Sequence, residues 1–300
     1  MLGRMVAQRL AEAPPSTLFS AEVVAAAREA DLLVLNLECC ISERGTPPQP
    51  AKPFLFRAPP VAVDALTLLG TTCVTLANNH ALDFGEVALL DTLEHLETAG
   101  IAAVGAGSDV DRARTPAVLE ARGFRLGVVG LSDHPAEFGA GPYRPGIAFA
   151  DARSDLPAWV GQAIDSIQAD AVLVTPHWGP NMATSPVPHV RAAARRLHEA
   201  GATLIAGHSA HVFHGVHGPV LYDLGDFVDD YAVDPLRRND LGLFWLVTLD
   251  RLGPIRMEAV PLRLDFCHTR LASAQDRDWI RRRFIAACAE FGTGVGERDD

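Results

Sequence analysis

A chain of 300 residues can bury a large core, as one α/β domain or as two. Its 48% hydrophobic and 21% charged content is that of an ordinary soluble globular protein. The formal charge of −11 argues against broad contact with nucleic acid or an anionic membrane, so an anionic substrate needs a local positive site, a metal ion or a few arginines.

The chain opens on MLGRMVAQRL with no strand before it. Ser20 reads as the N-cap of a helix with Val23, Val24 and Ala27 on one face. Leu32 to Leu37 is an apolar strand broken only by Asn36, and Glu38 closes it. A carboxylate ending a buried strand is costly unless it is paired or metal-bound; the alternative places Glu38 on a solvated loop. Residues 45–60, with six prolines, must be an extended connection, and Lys52 and Arg57 within it are candidate anion-holding groups. A helix from about Val61 to Leu69 leads to the strand Cys73 to Ala77, which ends in Asn78-Asn79-His80 followed by Asp83. Amide, imidazole and carboxylate packed this tightly after a strand are poor helix material and good site material.

Val87 to Ala99 reads as an amphipathic helix capped by Gly100. Strands follow at Ile101–Val104, Ala117–Glu120 and Arg125–Leu131, the last two joined by a turn at Arg122-Gly123. Residues 132–153, rich in Gly and Pro, read as a long loop. A helix at about Leu156–Gln168 precedes the strand Ala171–Thr175, which runs through Pro176 into His177-Trp178-Gly179. A helix at His189–Ala200 leads to an apolar run that stops at Gly207, and His208, His211, His214 and His217 then recur at intervals of three. Histidines at a strand end raise a metal hypothesis, with His208 and His211 the favoured pair; the same spacing also suits one side of a helix or a plain surface. Strands at Val220–Leu224, Leu243–Leu249 and Ile255–Leu262 complete the core pattern. A basic helix near 275–291 reads as a solvated face, and the tail should fray. Residues 1–270 are expected to form one domain, to which 271–300 add a helix and tail.

The five cysteines form no CxxC pair or disulfide-like framework, and no apolar run is long enough for a signal peptide or membrane span. A cytoplasmic protein is the expectation for the chain as given; its oligomeric state leaves no legible pattern. Four strand ends carry Glu38, Asn79/His80, His177 and His208/His211, and this mixture of oxygen and nitrogen donors suits manganese, iron or zinc.

In these segments the chain resembles the CapA-type capsule-synthesis proteins, a family named for poly-γ-glutamate synthesis and similar to the calcineurin-like metallophosphoesterases. NLECCIS, KPFLFRAPP, ANNHALDFG, HWG, GHSAHV and LYDLGDFV match its motifs in order, between Met1 and about Leu262. The resemblance implies a four-layer α/β/β/α sandwich of two mixed sheets with a two-metal site at the sheet edges. It makes Glu38 the bridging carboxylate and Asn79, His177, His208 and His211 the remaining metal ligands. His80 becomes the general acid, Asp83 its orienting partner, and Arg4, Lys52 and Arg57 the groups that hold an anionic small molecule or polymer.

Departures from the pattern accompany the match. Asn181 replaces a glutamate, Val190 a glutamine, Asp226 the asparagine of LGNF, and His214 and His217 stand for glutamine and glutamate. The family's opening strand, ending Gly-Asp, has no counterpart before Met1-Leu2-Gly3-Arg4; the expectation is a natural start upstream of Met1, and at most one metal bound without the missing aspartate. A metal-dependent phosphoesterase-type hydrolase is the leading reading. A non-hydrolytic accessory protein for an anionic polymer, or a degenerate binding module, stands against it.

Overall fold

The computed structural model describes residues 1–48 and 52–297; Gln49 to Ala51 of the proline-rich connection and the last three residues of the expected tail lie outside them. Helix α1 (Arg4–Glu12) occupies a stretch for which no element was expected, and buries Val6 and Leu10, one turn apart. Ser20 caps α2 (Ala21–Ala27) by accepting from the Val23 amide at 3.4 Å. The apolar run supplies β1 (Val34–Asn36), and two short strands, β2 (Cys40–Ile41) and β3 (Arg57–Ala58), pair in parallel beyond it. Helix α3 (Ala62–Leu69) stops at Gly70, whose φ of +80° suits a residue without Cβ. It leads to β4 (Cys73–Thr75), and α4 (Glu86–Thr98) leads to β5 (Ala102–Val104). Helical crossovers of this kind join parallel strands, and the first sheet is parallel throughout, in the order β1-β4-β5.

Strand β6 (Ala106–Gly107) and helix α5 (Val110–Arg114) precede the hairpin of β7 (Ala117–Ala121) and β8 (Phe124–Ser132). Its two-residue turn, Arg122-Gly123, has both residues at positive φ, the hand that matches strand twist. The long loop carries β9 (Gly146–Ile147), paired with β6. Then come α6 (Ala158–Asp165), β10 (Ala171–His177), α7 (Pro188–Glu199), β11 (Leu204–Ala206), β12 (Val216–His217) and β13 (Val220–Leu221). The second sheet has the order β12-β13-β11-β10-β8-β7, parallel at its centre with antiparallel margins. An antiparallel trio of β14 (Leu241–Asp250), β15 (Gly253–Asp265) and β16 (His268–Leu271) forms a third, before helix α8 (Ala274–Ala289).

Alternation along the strands sets the layers. Leu173 of β10 and Cys73 of β4 share a core with Val104 and Leu204, so the first two sheets face each other. Val172 and Val174 point the other way, onto Val160 of α6 and Leu197 of α7. Val74 packs outward with residues of α2 and α3. The result is the expected α/β/β/α sandwich. In helix α8, Arg281 and Arg282 are exposed as expected of a solvated face, whereas Arg283 turns toward buried residues. Trp279, Ile280 and Phe284 pack with Phe213 and Leu243, and the Arg283 guanidinium lies 5.3 Å from the Phe213 ring centre.

Among the described strands, β1 and β14 are each paired on one side only. A cavity of about 590 Å³ runs between them, lined by Leu33, Leu35 and Leu37 on one side and Phe244 and Leu246 on the other, and by Glu38, His208 and His211.

The two facing sheets approach closely at Gly130, where a Cβ would stand 2.7 Å from Thr75 Oγ1 and 3.0 Å from Gly105 Cα. Gly130→Ala is predicted to cost about 1–3 kcal/mol through overpacking. Urea unfolding measures it; an unchanged midpoint would mean that the sheets are not in contact there.

Candidate metal centre

Glu38 emerges from β1 and is 5% exposed. Asn36 Nδ2 donates to its Oε2 at 3.0 Å, while Oε1 is buried without a hydrogen-bond partner. The turn after β4 is locked by Asn78, which donates to the Leu37 carbonyl and to Asn36 Oδ1 and accepts from the His80 amide. This places Asn79 with its Oδ1 buried and unpartnered. His80 Nδ1 meets Asp83 Oδ2 at 2.6 Å, and its Nε2 lies 3.9 Å from Glu38 Oε1. Because ionised Asp83 is acceptor-only, the contact fixes the proton on Nδ1 and leaves the Nε2 lone pair toward Glu38. Asp83 also accepts from the Phe56 amide at 2.8 Å and from Lys52 Nζ at 2.7 Å.

The histidines arrive from the facing sheet. His177 ends β10 and His208 follows β11; their Nδ1 atoms are 2.7 Å apart, and His208 Nε2 is 3.1 Å from Thr175 Oγ1. Burial and the neighbouring His208 ring push His177 well below the usual imidazole range, and burial with the nearby His134 lowers His208 to about 3. Both rings are therefore neutral at pH 7, the form that ligates metals. His211 differs: burial, the largest single cause, opposes its charge, but the Asp226 carboxylate 3.0 Å away together with Glu38 and Asp223 raises it to about 10. The loop turns at positive φ at Ser209 and His211, and Asp223 fastens it by accepting from the amides of Ala210 (2.7 Å) and Gly225 (2.9 Å).

Glu38, His208, His211 and Asp226 line the same cavity, His177 adjoins His208, and His80 adjoins Glu38. The three expected anion-holding groups are differently placed. Lys52 is committed to Asp83 and to the Asn79 carbonyl at 2.5 Å. Arg4 pairs with Asp230 at 3.3 Å and lies over Phe54. Arg57 stacks 4.1 Å from the Phe84 ring centre and donates to the Arg44 carbonyl, with no candidate ligand among those partners. The histidine tract divides in the middle. His214 Nε2 turns to the Ala183 carbonyl, and His217 stacks on Phe291.

Sequence reasoning missed Asp133 and His134, read only as the start of a loop. Asp133 is fully buried, accepts from the Gly179 amide at 3.2 Å and pairs with His134, whose ring centre is 5.0 Å from that of His177. The signal was the one used elsewhere, polar residues just past an apolar strand. Asp226 stood out in the sequence only as the replacement for the LGNF asparagine.

Whether these residues suit a divalent cation rests on their donor atoms. Two neutral imidazoles, a carboxylate oxygen and an amide oxygen buried without partners form a donor set that fits manganese, iron or zinc. The set is not preassembled, however. Among the described residues no three His, Cys, Asp or Glu side chains already stand where they could hold one ion. The contact between His177 and His208 occupies at least one Nδ1 lone pair, so ligation there requires the rings to part.

The family model described as bacterial capsule synthesis protein PGA_cap matches residues 1–231. A probable polyglutamine synthesis accessory protein of Mycobacterium tuberculosis is 34% identical over 292 residues, covering 90% of this chain and 76% of its own length. The PGA biosynthesis protein CapA of Bacillus subtilis is 27% identical, over 95% of this chain and 74% of its own. Among solved structures, a hypothetical protein from Thermus thermophilus aligns with a TM-score of 0.49 at 13% identity, covering 81% of this chain and 92% of its own. A putative 5′-nucleotidase from Staphylococcus aureus aligns with a TM-score of 0.41 at 13% identity, over 75% and 44%. The family match takes in β1 with Glu38, the Asn79-His80 turn and the whole histidine tract, and on it the chain belongs to the bacterial capsule synthesis family PGA_cap.

Proposed function

We propose that this PGA_cap protein is a metal-dependent hydrolase of phosphoesterase type, acting on an anionic substrate in the synthesis of a capsule polymer. One observation carries the reading: unpartnered, buried oxygens of Glu38 and Asn79 stand with the neutral His177–His208 pair beside an oriented His80–Asp83 dyad. Glu38, Asn79, His177 and His208 would hold the cations, and His211 would join them through Nε2 on giving up the proton there, with Nδ1–H kept by Asp226. Bound divalent cations would supply Lewis-acid polarisation of a phosphoryl oxygen and make water a better nucleophile near neutral pH.

The chain's own residues account for the rest. With a second proton taken up on Nε2, His80 donates that proton to the leaving oxygen and returns to the neutral form whose Nδ1–H Asp83 holds. Lys52 balances the Asp83 charge, so that the buried carboxylate is not left alone. Phe56 packs edge-on against His80 at 4.5 Å, and Tyr231 packs edge-on against His211 at 5.4 Å, shielding both rings from water.

A second reading, a non-hydrolytic accessory protein for an anionic polymer, draws on the Mycobacterium tuberculosis relative described as a probable polyglutamine synthesis accessory protein. Turnover decides between them.

With manganese present, the wild type is expected to hydrolyse an aryl phosphate. His80→Asn should lower kcat about 100-fold or more with metal content retained, whereas His208→Ala should lower both. Loss of metal in His80→Asn would recast His80 as a ligand, and a wild type that binds metal without turnover would favour the accessory reading. Asp83→Asn is expected to reverse the His80 tautomer and cut kcat by about 10²–10⁴ with little change in KM, measured on protein checked for folding. Wild-type kcat in that variant would remove Asp83 from the mechanism.

A further inference from the structure

Asp226 is a carboxylate that neither the family pattern nor the donor set above employs. Its side chain is 9% exposed and lines the cavity shared with Glu38, His208 and His211. One oxygen, Oδ1, is accounted for by His211 Nδ1 at 3.0 Å. The other, Oδ2, is buried and has no hydrogen-bond partner. A carboxylate whose task was only to orient His211 would have finished with Oδ1, since one acceptor fixes the tautomer. Its second oxygen would then face either solvent or a donor, because an unsatisfied buried carboxylate oxygen carries the full desolvation cost. Neither is present. Four oxygens are left without partners in this region, on Glu38, Asn79, Asp226 and its neighbour Asp229, and all four belong to side chains that ligate hard or borderline cations.

Position in the chain reinforces this. Asp226 follows Gly225, which turns at φ +74° and whose amide is held by Asp223 at 2.9 Å. Asp223 also holds the Ala210 amide, so one carboxylate fixes Asp226 relative to His208 and His211. The side chain is thus held on a rigid frame rather than on a mobile loop.

We infer that Asp226 is itself a metal ligand of this centre, binding a divalent cation through Oδ2 while Oδ1 retains His211. The inference rests on the metal-dependent reading above and deepens it. It assigns a second carboxylate, beside Glu38, to balance the charge of the bound cations. Asparagine here would supply a neutral amide oxygen in place of a charge.

The test uses cobalt alone as the probe, titrated into metal-free full-length protein whose folding is checked by thermal unfolding. Asp226→Asn is expected to weaken cobalt binding by about tenfold or more. Asp226→Cys, which replaces an oxygen ligand by sulfur at the same position, is expected to give a thiolate-to-cobalt charge-transfer absorption absent from the cobalt-loaded wild type. Wild-type affinity in Asp226→Asn, or a cobalt titration of Asp226→Cys without that band, overturns the assignment while leaving the wild-type metal centre standing. Should Asp226→Asn fail to fold, the Cys variant decides alone. A wild type that takes up no cobalt overturns both this inference and the hydrolase reading.

Discussion

Asp83 is the constraint on which the site depends. Its carboxylate is fully buried and is held by three groups from two segments: the Lys52 ammonium, the Phe56 amide and the His80 ring. A buried anion is tolerated only when its partners come close and stay there. Satisfying Asp83 therefore draws the connection before α3 down onto the turn after β4, and in the same act orients His80. Lys52, drawn in as counter-ion, also grips the Asn79 carbonyl. The stability of that corner and the chemical readiness of His80 are the same set of hydrogen bonds. That is why the lysine foreseen as an anion-holding group is spent within the protein.

The facing sheet contributes a second arrangement, built from burial rather than from charge. His177 and His208 are neutral because they are deeply enclosed, and the His208 ring adds to the penalty for protonating His177. Three residues further on, His211 is driven the opposite way by Asp226. Two lone-pair donors and one ion pair thus sit side by side at the ends of two neighbouring strands, β10 and β11. With the whole chain at −11, such local arrangements, and not net charge, determine what an anion meets here.

Much of this was legible in the sequence where the signal is local. Ser20 before an apolar helix face, Arg122-Gly123 between two strands and polar residues after apolar runs all act through near neighbours. Helix α1 was missed because its polar residues outnumber the two buried ones that seat it, Val6 and Leu10. The four histidines at intervals of three showed a pattern but not a destination. His214 leaves toward Ala183 and His217 toward Phe291, partners remote in sequence. The same limit hid Asp226, whose meaning lies in contact with His211 and in an oxygen left without a partner. Family resemblance supplied the layer order of the sandwich, which strand alternation in the structure then explains residue by residue.

The central claim is that side chains from both sheets form one cation centre at the end of the cavity between β1 and β14. Anomalous diffraction from crystals grown with manganese tests it most directly. The expected result is an anomalous peak bonded to Glu38 or Asn79 from one sheet and to His177, His208 or His211 from the other. A peak confined to surface carboxylates, or none at a manganese concentration that supports turnover, would contradict it.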